Sequence, residues 1–145
     1  IMCYSGYRIS AYGNITVNLE EKYFQGGVKT KSSKNRIVPI HSCIMPLVEA
    51  RMNRYGSMLN YAPGNFRIDM QKFLSKNGMD PHTPHDCRHT FSFLCEKYGV
   101  NENDRIRMLG HSFKTVTNSV YGHRDVEDLR TEIEKIPCLR KNPCC

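Results

Sequence analysis

Hydrophobic and polar positions run along this chain in two rhythms, and the change between them divides it. Residues 1–10, "IMCYSGYRIS", read as the end of a helix that turns at Gly6. From roughly residue 14 to 40 come the β-branched and aromatic runs "ITVNLEEKYFQGG" and "KNRIVPI", separated by the polar "KTKSSKN". That pattern predicts antiparallel strands with a hairpin between them. Beyond residue 40 the apolar period lengthens to that of a helix. Ser42 is placed to cap a helix carrying Ile44, Leu47, Val48, Met52 and Tyr55, and "NFRIDMQKFLSKNG" repeats apolar residues at helical spacing before stopping at Gly78. A helix from Pro84 ends at Gly99, another covers about Asp104 to Leu109 and stops at Gly110, and a third spans about Thr115 to Tyr121. "VEDLRTEIEKI" then forms a charged, amphipathic tail helix before a frayed "PCLRKNPCC". The sum is an α+β domain, mainly α-helical, with a small antiparallel sheet.

Length and composition narrow this picture little. At 145 residues the chain supplies one domain with a real core. Hydrophobic residues at 39% and charged residues at 24% are ordinary for a globular protein, and no apolar run approaches the ~18 residues of a membrane span. The chain opens on Ile1 without the basic start and apolar middle of a signal peptide, so it reads as part of a longer protein. Seven cysteines form no framework of spaced pairs; Cys3, Cys43, Cys87 and Cys95 sit in apolar or helical segments, which reads as reduced thiols in a cytoplasm.

Charge changes the picture more. A net charge of +7 favours a polyanionic partner, because neutralising phosphates releases their condensed counterions. On the helix from Pro84, Phe91, Leu94, Cys95 and Tyr98 form the apolar stripe, and His85 and Arg88 lie three apart at the N-terminus, on the rim beside that stripe. The same helix start offers backbone N–H groups and a positive dipole end, which together suit a phosphate. Helices often carry such a pair as a solvated polar face, so the pair by itself decides nothing. After Gly110, however, comes His111, and Tyr121 follows it by ten residues.

"TPHDCRHTF", "MLGHS" and "VYGH" together resemble the signature of the tyrosine recombinase, or phage integrase, family. In that family an H-x-x-R pair, an L-G-H segment and a tyrosine ten residues after its His assemble one active site. "SGYRIS" is similar to the family's G-x-R-x-S turn and puts its upstream arginine at Arg8. "GGVKTKSSKNRIVPI" resembles its lysine-bearing hairpin, with Lys29 favoured and Lys31 in reserve. The resemblance implies a helical catalytic core with a three-stranded antiparallel sheet on one edge, spanning residues 1–145. It implies the catalytic set Arg8, Lys29, His85, Arg88, His111 and Tyr121, with an N-terminal DNA-clasping domain lying outside this chain. It further implies double-stranded DNA as partner, a homo-tetramer on recombining sites with a monomer possible for the isolated chain, and a bacterial, nucleoid-associated location. The family commonly has an acidic residue where this chain has Ala11, so a partner that orients the arginine or lysine is missing.

The residue types fit phosphoryl transfer on chemical grounds as well. Planar guanidiniums at Arg8 and Arg88 match the charge that spreads over the non-bridging oxygens of an attacked phosphodiester. A phenol with a reference pKa of about 10 is a poor nucleophile near neutral pH, so Tyr121 needs a cationic field and a proton acceptor. His85 is the candidate acceptor, His111 a hydrogen-bond donor to the phosphate, and Lys29 the general acid for the departing 5′ oxygen. No metal or other cofactor is required. Other readings compete. A zinc module would use His82, His85, Cys87, His89 and Cys95, but no cysteine pair accompanies the His85–His89 spacing. A non-catalytic DNA-binding module such as a helix-turn-helix leaves Arg8, Arg88 and Tyr121 without a task, a degenerate integrase silenced by changes such as Ala11 would keep DNA binding without strand cleavage, and a type IB topoisomerase shares the tyrosine chemistry.

Overall fold

The structure, a computed structural model, describes residues 1–27, 36–111 and 124–139. The sheet consists of β1 (Thr16–Asn18), β2 (Tyr23–Gln25) and β3 (Ile37–Pro39), in that order and antiparallel throughout. The run "ITVNLEEKYFQ" therefore folds as two strands. Asn18 explains the break: its side-chain oxygen accepts the Glu21 N–H at 2.8 Å, and Lys22 takes a φ of 55°, which closes a tight turn. Val17, Phe24 and Val38 stand opposite one another across the sheet, and the last two are fully buried.

Five α-helices follow among the described residues: α1 (Met45–Tyr55), α2 (Pro63–Lys76), α3 (Pro84–Lys97), α4 (Glu102–Leu109) and α5 (Val126–Ile133). The helix expected over Thr115 to Tyr121 lies outside the described residues. Local chemistry moves three boundaries. Residues 2–4 and 9–11 form 3-10 turns on either side of Gly6, so the chain opens on turns in place of a helix end. Ser42 is not the cap of α1: the His41 ring accepts the Cys43 N–H at 3.0 Å and starts a 3-10 turn, while the Ser42 N–H and hydroxyl donate to Glu134. Helix α4 begins at Glu102 because the Asn101 side chain accepts the N–H groups of Asn103 and Asp104.

The core joins the sheet to the helices through Tyr7, Phe24, Val38, Ile40, Val48, Phe91, Met108, Ile133 and Ile136. Leu129, Ile133 and Ile136 bury the apolar face of α5 and its extension against β3 of the same chain. The apolar face of the amphipathic tail helix is thus spent within its own fold. Further contacts hold it there. The Arg130 guanidinium donates to the Glu21 and Lys22 carbonyls, the Tyr4 hydroxyl donates to the Pro137 carbonyl at 2.9 Å, and Cys43 is disulfide-bonded to Cys138. The expectation of reduced thiols fails at this pair, whose Cα atoms lie 5.5 Å apart although 95 positions separate them in sequence. Cys3, Cys87 and Cys95 are free thiols. Among the described residues no helix is long and apolar enough to cross a membrane.

Gly6 is the tightest point of this packing. Its φ is +63°, and a Cβ added there would stand 2.4 Å from Cδ1 of the buried Phe91 ring. Gly6→Ala is expected to cost about 2 kcal/mol or more, from left-handed backbone strain plus overpacking. Urea unfolding measures it, and an unchanged midpoint would refute this account of the turn.

Candidate active site

The turn at Gly6 lays residues 5–8 beneath the first turns of α3, and Ser5, Gly6 and Tyr7 each have a separate partner. The Ser5 and Tyr12 hydroxyls are hydrogen-bonded in the interior, the Gly6 carbonyl accepts from Arg88, the Tyr7 ring lies under Arg36, and Arg8 opens the next turn in extended conformation. Helix α3 starts cleanly because Pro84 takes its first position and the Asp86 carboxylate accepts the Thr83 N–H at 2.6 Å.

Arg88 is the centre of the site. Its residue is 4% exposed, so it belongs to the interior, and of the expected rim pair only His85 lies at the surface. The burial has a clear cause. Nη1 donates to the Gly6 carbonyl at 2.6 Å, Nη2 donates to the Leu109 carbonyl at 2.6 Å, and Nη2 also meets His111 Nε2 at 3.0 Å. A guanidinium has no acceptor, so His111 Nε2 must offer its lone pair, and the neutral ring then carries its proton on Nδ1. Burial, followed by Arg88, Arg8, Arg36 and Arg105, holds the His111 pKa below its ordinary value and keeps that lone pair available. His85 is lowered in the same way by desolvation, His89, Arg8 and Arg88, and its ring packs edge-on against His89 with centroids 4.6 Å apart. Arg88 itself is pushed down to about 10 by burial and by Arg8 and Arg36.

Arg8, His85, Arg88 and His111 therefore share one electrostatic neighbourhood. Lys29, Lys31 and Tyr121 lie outside the described residues. Ala11 is 1% exposed and packed in the core, so the position where an acid was sought holds only a methyl group. Among the described residues, no Asp or Glu is ion-paired with Arg8, Arg36 or Arg88, and no three His, Cys, Asp or Glu side chains gather as a metal-binding group. Beside His85 an open groove of about 410 Å³ runs between α2 and α3, walled by Ile9, Arg67, Thr83 and Pro84.

Arg36 was missed in the sequence. It is 5% exposed, lies 3.9 Å above the Tyr7 ring and donates to the same Leu109 carbonyl as Arg88, at 2.5 Å. A lone arginine directly before the apolar "IVPI" was the available signal, since a guanidinium buried beside a core strand must find partners.

No family model matches the chain, and neither does any curated protein sequence. Among solved structures, the integrase from mycobacterium phage Brujita superposes with a TM-score of 0.71 at 17% sequence identity, over 96% of this chain and 50% of that one. The chain thus spans about half the length of that protein and has an integrase-like fold: mainly helical, with a small three-stranded antiparallel sheet.

The hydrogen bond from Arg88 fixes an observable state of His111. At pH 7 its ring is expected as the neutral Nδ1–H tautomer, with a pKa below the ~6.5 of an ordinary histidine. Because the folded value is depressed, the unfolded chain binds the proton more readily, so stability falls as pH drops through and below about 6.5. Long-range ¹H–¹⁵N NMR of the imidazole checks this, and an Nε2–H tautomer at pH 7 would contradict the geometry.

Proposed function

We propose that this chain is the catalytic domain of a site-specific DNA recombinase, which breaks and rejoins strands through a covalent 3′-phosphotyrosyl intermediate. One observation carries the reading. Arg88 is buried beside Arg8 and Arg36 with carbonyl oxygens but no carboxylate as partners among the described residues, and His111 is bonded to it. Structural arginines are ordinarily paired, so a cationic cluster left without a counter-anion fits a site whose anion arrives with the substrate.

In the proposed reaction Arg8 and Arg88 bind the non-bridging oxygens of the scissile phosphate. Arg88 makes three contacts to protein groups, and two of the five guanidinium N–H donors remain. His111 donates from Nδ1–H. His85, neutral near pH 7, takes the proton of the Tyr121 hydroxyl as its oxygen attacks phosphorus. The P–O bond to the 5′ oxygen breaks, and Lys29, or Lys31, supplies the proton to that leaving group. The phosphotyrosyl ester conserves the diester linkage, so a 5′ hydroxyl of another strand displaces the tyrosine by the reverse path. The partner is double-stranded DNA, the assembly on recombining sites a homo-tetramer, and the biological step the integration or excision of a mobile element. The integrase-like fold supports this reading.

The test needs no known target site. The chain is incubated with nicked duplexes of randomised sequence, which trap a cleaved intermediate, and SDS-resistant protein–DNA adducts are counted. Adducts are expected from the wild type and none from Tyr121→Phe, which still binds DNA. Arg88→Lys should lower the rate about 100-fold or more, because a point charge does not replace a planar clamp on the transition state. Salt-sensitive DNA binding with no adduct under any condition would overturn the catalytic reading in favour of a DNA-binding module.

A further inference from the structure

We infer that Arg36 is a positioning residue of this site: stacked on Tyr7, it holds the Leu109 carbonyl in common with Arg88 and so fixes the turn that presents His111. The inference rests on the recombinase reading only for the reason the turn must be held, and the contacts stand without it.

Leu109 is the last residue of α4, and Gly110 follows in the left-handed conformation at φ +67°. Its carbonyl is one of the acceptors a helix leaves unsatisfied at its C-terminus, at the negative end of the helix dipole. A carbonyl oxygen has two lone pairs, and here both are used: Arg36 Nη1 approaches at 2.5 Å and Arg88 Nη2 at 2.6 Å. The two guanidiniums are thus held at a fixed separation by a single oxygen, two residues before His111.

Arg36 is in turn held from below. Its guanidinium carbon sits 3.9 Å above the Tyr7 ring, which meets Phe24 of β2 edge-on at 6.0 Å and Tyr12 at 5.8 Å. An unbroken series of contacts therefore runs from the sheet through Tyr7 and Arg36 to Leu109, and on to Arg88 and His111. A purely structural role explains this poorly. The Arg36 Nε atom is buried with no hydrogen-bond partner among the described residues, and an apolar side chain would fill the space without stranding a charge. What an apolar side chain lacks is the second grip on Leu109 and the positive field at the site.

Arg36→Met and Arg36→Lys in the full chain test the inference, alongside urea unfolding as a check on folding. The first readout is the His111 titration and tautomer by NMR, with Arg8, Arg88 and Arg105 as the other charges that act on the ring. Arg36→Met should move the His111 pKa up toward its ordinary value and broaden its tautomer signal. Arg36→Lys should restore most of the pKa, because the charge returns, but not the sharp tautomer, because the stacked fork does not. The second readout is inorganic phosphate affinity at constant ionic strength, which should weaken several-fold in Arg36→Met. The third is the adduct rate on the nicked pool, expected to fall roughly 10- to 100-fold with DNA binding unchanged, as for a reacting group displaced by about 1 Å. If the wild type forms no adducts, the function fails while the first two readouts still judge Arg36. An Arg36→Met chain that folds with His111 titration, tautomer and phosphate affinity unchanged overturns the inference. So does loss of folding in both variants, which would make Arg36 a residue of the fold alone.

Discussion

Two guanidiniums buried together, with no carboxylate to neutralise them among the described residues, set the terms for the rest of this fold. Desolvating a charge is costly, and like charges side by side add to the cost. The chain answers with dipoles. The Gly6 and Leu109 carbonyls absorb Arg88, Leu109 and the Tyr7 ring face absorb Arg36, and the C-terminal end of α4 points its negative pole at both. Tyr7 belongs to the same solution as a neutral phenol: burial pushes its hydroxyl up to about 12 although Arg36 pulls the other way. No element of this set cancels the positive charge outright; each only makes it tolerable. Gly6 has to be glycine because its carbonyl must face Arg88 while its α-carbon passes Phe91 closely.

A second cluster on the same helix shows what the chain does when charge serves structure. Asp104 is fully buried in α4 and paired with Arg107 at 3.2 Å and Arg124 at 3.1 Å, so its charge is compensated twice. Arg124 stands immediately before α5, and the pair therefore ties α4 to the tail helix. The tail is fastened again by Leu129, Ile133 and Ile136 in the core, by Arg130 on the first hairpin turn, and by the Cys43–Cys138 disulfide. Compensated charge and covalent closure hold the frame, while uncompensated charge collects where α3, α4 and the first turn meet. That division within one small domain is the physical ground for separating scaffold from site.

The sequence made much of this visible, and its omissions share a cause. Helical periodicity located α1 to α5, although α1 and α2 each bury only one residue, Val48 and Leu74, and Gly78, Gly99 and Gly110 marked the ends of α2, α3 and α4. Arg8, His85, Arg88 and His111 could be picked out in the sequence as members of short motifs, with His85 three before Arg88. Pairings across long separations were not legible. Nothing near Cys43 announces Cys138, nothing near Arg130 announces the carbonyls of the first hairpin, and the arginine before "IVPI" signals that Arg36 needs a partner but not that the partner is Leu109. The rim position expected for Arg88 failed for the same reason. A helical wheel gives the angle of a side chain but not what the rest of the chain lays over it, and here the Gly6 turn and the Leu109–His111 turn cover it.

The uncompensated field also couples binding to chemistry. Burial first, and then the charges of Arg8 and Arg88 acting through space, together with His89 at His85, hold both His85 and His111 below the ordinary histidine value, which favours the neutral rings near pH 7. A phosphate placed between the arginines cancels part of their field. The same interaction that favours the anion must then raise the affinity of each histidine for a proton, because linkage between two ligands is reciprocal. In the proposed reaction His85 thus becomes a stronger base when the phosphodiester it serves is in place, and a weaker one when it is not. A carboxylate in place of Ala11, or any other permanent counter-charge, would soften the field in the empty site and shrink that difference. Leaving the cationic cluster unpaired costs stability, and in the proposed reaction it would make the base strength of His85 depend on the bound phosphodiester.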